Sequence, residues 1–184
     1  MPSDIRTVCV FCGSRTGHDP GHAEVARALG AGLARNGMTL IYGGGRVGLM
    51  GVIADAVMAG GGTAIGVIPR ILEEIEVGHP GLSTLEVVET MHQRKERMYA
   101  LSDAFVLLPG GIGSLDEGFE ILTWRHLGLH DKPIVVLDRE GYWRPLADML
   151  DHIVQAGFAG EAVHGYLSFA ADAPAVLAAL GADK

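Results

Sequence analysis

In Leu107–Trp124, LLPGGIGSLDEGFEILTW, the end of an apolar run meets a glycine-rich turn and then a stretch with helical periodicity. The stretch reads as a buried strand, a turn and the first turns of a helix. Such a unit holds anions well. Backbone amides of Gly110, Gly111 and Gly113 close around phosphate-like oxygens, and a helix N-terminus behind them adds roughly half a positive charge. Two carboxylates, Asp116 and Glu117, follow at once.

The same alternation extends in both directions. Candidate strands are TVCVFC, TLIY, TAIGVI, LEVVE, AFVLLP and PIVVLD. Near-continuous apolar strands separated by helices mean a parallel sheet covered on both faces. The first helix is expected over about 20 to 36, with Asp19 as N-cap, Pro20 at the first helical position and Gly37 as the stop. A second, in VGLMGVIADAVMAGGG, carries Leu49, Ile53 and Val57 on one stripe. Two more are expected over about 114 to 128 and 143 to 156, and the alanine-rich tail AADAPAVLAALGADK reads as a short closing helix. Residues 1–184 are expected to form a single domain.

Composition narrows the function. Of 184 residues 48% are hydrophobic and 20% charged, which is a globular balance. The net charge of -8 comes without a lysine or arginine block, which argues against nucleic-acid binding. No run of about 18 apolar residues and no cleavage-site pattern occurs, so the expected location is cytoplasmic, with no membrane partner. Cys9 and Cys12 are spaced to face opposite sides of a strand, so they are expected to be core thiols and not a redox pair. His18/His22 and His126/His130 have helical i, i+4 spacing but no third ligand beside them, and no metal is expected.

Three features leave alternatives open. GGGRVG, Gly43–Gly48, matches a dinucleotide fingerprint, but it follows the second strand and lacks an acid about twenty residues on. A tight turn, or a loop approaching some other nucleotide or phosphate, fits better, so an NAD enzyme ranks third. Ser114 and Glu117 match a capping box, S-x-x-E. On the same helix Leu115, Phe119, Leu122 and Leu129 form one apolar stripe, while Ile121 and Trp124 lie opposite, a second surface that a partner subunit would cover. In MHQRKERMYALS, Met91, Arg94, Lys95, Met98 and Leu101 share a face. Either the cations snorkel from it, or Arg94 and Lys95 point into an anion site. Tyr42, Met91 and Met98 are candidates for an adenine pocket or for core, and His92 lies on the polar side of its helix.

CVFCGS, YGGGRVGLMG, MHQRK and PGGIGSLDE, taken together, resemble the LOG (Lonely Guy) family of cytokinin riboside 5'-monophosphate phosphoribohydrolases, over about residues 7 to 158. The resemblance implies a Rossmann-like, doubly wound α/β fold and a homodimer with sites at the subunit interface. It implies hydrolysis of an adenosine-type 5'-monophosphate, N6-modified or plain, to free base and ribose 5-phosphate, without a cofactor. It places Arg94 and Glu117 on the catalytic pair. Substrate-binding positions fall on Glu76, Arg94, Lys95, Gly110, Gly111, Ile112, Gly113, Ser114, Leu115, Asp116 and Thr123. Ser114 departs from the family's threonine but keeps the hydroxyl. Some members carry a lysine-decarboxylase label, for which the sequence offers no pyridoxal phosphate site. Others resemble molybdenum-cofactor carriers, so a nucleotide or molybdenum-cofactor carrier without catalysis is the alternative.

Overall fold

The computed structural model describes residues 5–73, 75 and 77–182. Among the described residues seven strands are present, β1 (Thr7–Phe11), β2 (Thr39–Tyr42), β3 (Ala64–Pro69), β4 (Thr84–Val88), β5 (Ala104–Leu107), β6 (Ile134–Leu137) and β7 (Ser168–Ala170). They pair in the order β4-β3-β2-β1-β5-β6-β7, every pair parallel. Parallel neighbours need crossovers, supplied by α1 (Gly21–Arg35), α2 (Gly48–Ala59), α3 (Arg70–Glu73), α4 (Met91–Leu101), α5 (Ile112–His126) and α6 (Arg144–Gln155), with α7 (Ala173–Ala179) closing the chain. The strand order reverses between β1 and β5, which opens a crevice at their carboxyl ends.

Side-chain alternation sends the central strands into two cores. Val8, Val10 and Cys12 join Leu29 and Leu33 of α1, Ile53 and Val57 of α2 and Val176 of α7. Cys9, Phe11 and Phe105 join Met98 of α4, Ile121 of α5 and Leu146 of α6. The two cysteines form no disulfide and are buried on opposite faces, as their spacing requires. Central strands buried on both faces tolerate no polar alternation, which is why they read as unbroken apolar runs.

Several expectations are corrected. Asp19 is not the N-cap of α1. Pro20 occupies that position with a helical φ of -61°, and the Asp19 carboxylate accepts from the Gly21 amide at 2.8 Å. Ser114 and Glu117 form no capping box, because α5 begins at Ile112 behind Gly111 and has no side-chain cap. The box lies instead on α4, where Thr90 and Gln93 cap each other's backbone amides. Ile121 and Trp124 do not form a bare surface: Ile121 is buried, and Trp124 packs edge-on against Tyr99 of α4 at 4.9 Å. Leu129, placed on the core stripe by periodicity, is exposed beyond the helix end. Strand β7 and helix α3 are additions, too short to carry a pattern.

Candidate active site

The crevice is built from the loops that leave β1, β2 and β5. The Gly13 amide donates to the Pro109 carbonyl at 3.1 Å, and Leu49 at the start of α2 donates to the Gly13 carbonyl at 2.9 Å. The Tyr142 hydroxyl donates to the Gly110 carbonyl at 2.6 Å from the segment before α6. These bonds fix the glycine turn in front of α5. At Gly110 a Cβ would overlap the hydroxyl of Ser114, a buried residue, so the turn closes onto that side chain only because residue 110 has none. The first-turn amides of α5 have no intrahelical acceptor and no side-chain cap, an arrangement of donors of the kind that suits an anion.

A cleft of about 240 Å³ lies there, lined by Gly111, Ile112, Gly113, Ser114, Asp116 and Glu117 of α5 and its approach. Across from them stand Arg94 and Met91 of α4, with Cys12, Met50 and Leu72 completing the wall. Arg94 is 4% exposed. A buried guanidinium needs partners, and its Nη2 donates to the Gly43 carbonyl at 3.1 Å. A Cβ on Gly43 would overlap that nitrogen. The first glycine of GGGRVG therefore serves here to admit the Arg94 side chain. Glu117 and Arg94 also act on one thiol: burial pushes Cys9 up, Glu117 pushes further, and Ser102 and Arg94 oppose them.

The remaining expected residues separate. Lys95 is turned along α5, pairing with Asp116 at 3.2 Å and Glu120 at 3.1 Å. Burial opposes its charge, but the two carboxylates outweigh it and hold the ammonium above its usual range. Asp116 therefore joins the cleft to Lys95. Leu115 packs in the core beneath α5, and Thr123 is exposed further along the helix. Glu76 lies outside the described residues. Of the adenine-pocket candidates, Tyr42 and Met98 are buried in the two cores, while Met91 lines the cleft.

A second cavity of about 720 Å³ adjoins the cleft across Gly13, Ser14, Gly111 and Ile112, and it is walled by Arg15, His18, His22 and Tyr142. Tyr142 escaped sequence reading because it sits in an irregular segment far along the chain. Of its surroundings only the neighbouring aromatic Trp143 is visible there. His130, of the second histidine pair, faces the Ile121 carbonyl at 2.9 Å, a core contact. Among the described residues no three metal-ligating side chains converge, and no helix is long and apolar enough to cross a membrane.

Fold and cleft together define a doubly wound α/β protein with a cleft at its topological switch point, beside the uncapped N-terminus of α5. The sequence model of the family described as possible lysine decarboxylase matches residues 50–180. A cytokinin riboside 5'-monophosphate phosphoribohydrolase of Rhodococcoides fascians is 44% identical over 176 residues, covering 95% of this chain and 89% of that protein. One from Arabidopsis thaliana is 44% identical over 158 residues, covering 86% and 74%. Among solved structures, the molybdenum cofactor carrier protein of Chlamydomonas reinhardtii superposes with a TM-score of 0.73 at 23% identity over 96% of each chain. The molybdenum cofactor binding protein of Rippkaea orientalis gives 0.72 at 18%, over 97% of each chain. These two likenesses are of fold. The chain belongs to the LOG family of cytokinin riboside 5'-monophosphate phosphoribohydrolases.

Proposed function

We propose that this protein hydrolyses the N-glycosidic bond of N6-modified adenosine 5'-monophosphates, releasing the free base and ribose 5-phosphate. The observation that carries the reading is that Glu117 and Arg94 line the same cleft as the uncapped N-terminus of α5. An anion seat and a carboxylate stand there about one helical turn apart. The 5'-phosphate sits on the amides of Gly111, Ile112, Gly113 and Ser114, and the ribose then lies before Glu117.

Cleavage of the C1'-N bond passes through an oxocarbenium-like state. Positive charge on the sugar is stabilised by the Glu117 carboxylate, which also orients the water that adds to C1' and takes its proton. The electrons of the broken bond leave with the base nitrogen, and the proton that Glu117 takes from the water is passed on to that nitrogen through solvent, which returns Glu117 to its ionised form. Arg94, fixed by Gly43, anchors phosphate or ribose oxygens. Asp116 holds Lys95 against the rim and takes no part in the bond change. The working form is a cytoplasmic homodimer. In support, Ile112, which lines the cleft, is 82% exposed, and Ile71, next to the cleft residue Leu72, is 70% exposed, so the cleft mouth offers apolar surface for a second copy.

The test is incubation of the purified protein with AMP and with N6-prenyl-AMP, followed by chromatography. Free base and ribose 5-phosphate in equal amounts support the reading. Tight nucleotide binding with no base released overturns it in favour of a carrier.

A further inference from the structure

The loop that holds Arg94 is itself held from behind. His79 follows α3 and is 8% exposed. Its ring Nδ1 accepts the Gly81 amide at 3.1 Å, so the ring proton lies on Nε2, which donates to Asp55 of α2 at 3.0 Å. Its own amide donates to the Gly44 carbonyl at 3.0 Å. Beside it Gly45 and Gly78 form an antiparallel bridge, and the Arg46 amide donates to the Val77 carbonyl at 3.0 Å. Val77 has φ of 49°, a conformation that a β-branched residue avoids and adopts only when its surroundings impose it. The segment is thus pinned against the Gly43–Gly48 loop from several sides. On the other side of that loop the Gly43 carbonyl receives Arg94.

We propose that His79 is a positioning residue: with Asp55 it latches the Gly43–Gly48 loop, so that the Gly43 carbonyl holds the Arg94 guanidinium where the reaction needs it. The inference rests on the hydrolase reading for the importance of Arg94. A latch of this kind acts through about an ångström of placement, which is enough to cost one or two orders of magnitude in rate. Asp55 has no other route to the cleft, since it sits on the outer part of α2 and its side chain is largely exposed.

The experiment compares wild type with Asp55→Ala, Asp55→Asn and His79→Ala, by steady-state kinetics on N6-prenyl-AMP and by hydrogen exchange of the Arg46 and His79 amides. Asp55→Asn keeps an acceptor for Nε2 and is expected to match wild type in both. The two alanine variants are expected to lower kcat roughly 10-fold with KM within about threefold, and to speed exchange at both amides by a similar factor. Should His79→Ala fold poorly, Asp55→Ala still tests the latch, because it changes only an exposed side chain. Faster exchange with unchanged kcat overturns the proposal, as does unaltered exchange or an Asp55→Asn variant as impaired as Asp55→Ala. A wild type without turnover overturns the hydrolase reading instead, and the exchange rates alone then decide the latch.

Discussion

At the scale of the residue, the cleft depends on what two glycines leave out. Gly43 makes room for the Arg94 guanidinium and Gly110 for the Ser114 hydroxyl. In Gly110→Ala the new methyl meets that hydroxyl and stands 3.0 Å from the Gly13 amide, so the turn must move. The expected outcome is a KM for the nucleotide raised roughly 10-fold or more, because the amides proposed to seat the phosphate are displaced. An unchanged KM would show that the phosphate is held elsewhere. Most of these residues are legible from the sequence: Arg94, Glu117 and the Gly111–Ser114 turn line one cleft. Lys95 is legible only as a cation on the same face as Arg94. Its choice of Asp116 and Glu120 depends on how α4 and α5 approach each other, which no local pattern records. Tyr142, His79 and Asp55 carry no motif, and only the folded chain brings them to the glycine loops.

Among the elements, α5 shows where pattern reading stops. S-x-x-E occurs at Ser114–Glu117 and T-x-x-Q at Thr90–Gln93, with the same chemistry available to both. The contacts of the preceding turn decide between them, since Gly13 and Tyr142 hold Pro109 and Gly110 so that the helix begins at Ile112. Periodicity likewise identifies two apolar faces of α5 but not their cover, which α4 provides through Tyr99. At the other end of the sheet, β1 and β5 are tied by Asp103, whose carboxylate accepts from the Arg6 and Thr7 amides and the Thr7 hydroxyl at 2.8 to 3.0 Å. Burial alone would raise that carboxyl, but the hydrogen bonds and the nearby Lys132 outweigh it and hold it below its usual range. A depressed carboxyl stabilises the fold above its unfolded pKa of about 4, and the contribution is lost as pH falls through the lower folded value. Asp103→Asn is therefore expected to lower the melting temperature at neutral pH and to narrow the gap from wild type in strong acid. A gap that stays constant across that range would contradict this.

For the whole molecule, the crevice exists because the strand order turns back between β1 and β5, and three loops from separate parts of the chain meet there. That architecture is readable from alternating strands and helices. The exposed apolar surface is not: Ile71 and Ile75, four residues apart, and Ile112, far along the chain, are all at least 70% exposed in the single chain. If a second copy covers them, sedimentation should give twice the chain mass of 19.4 kDa, and Ile71→Glu combined with Ile75→Glu should dissociate the pair and depress turnover. A monomeric wild type with full activity would contradict the dimer. The arrangement of anion seat and carboxylate is tested most directly in Glu117→Gln, by measuring turnover of N6-prenyl-AMP and its affinity in the same preparation. Turnover is expected to fall by about 100-fold or more, with binding within a few-fold of wild type. Turnover equal to that of wild type would mean that Glu117 does not act on the sugar.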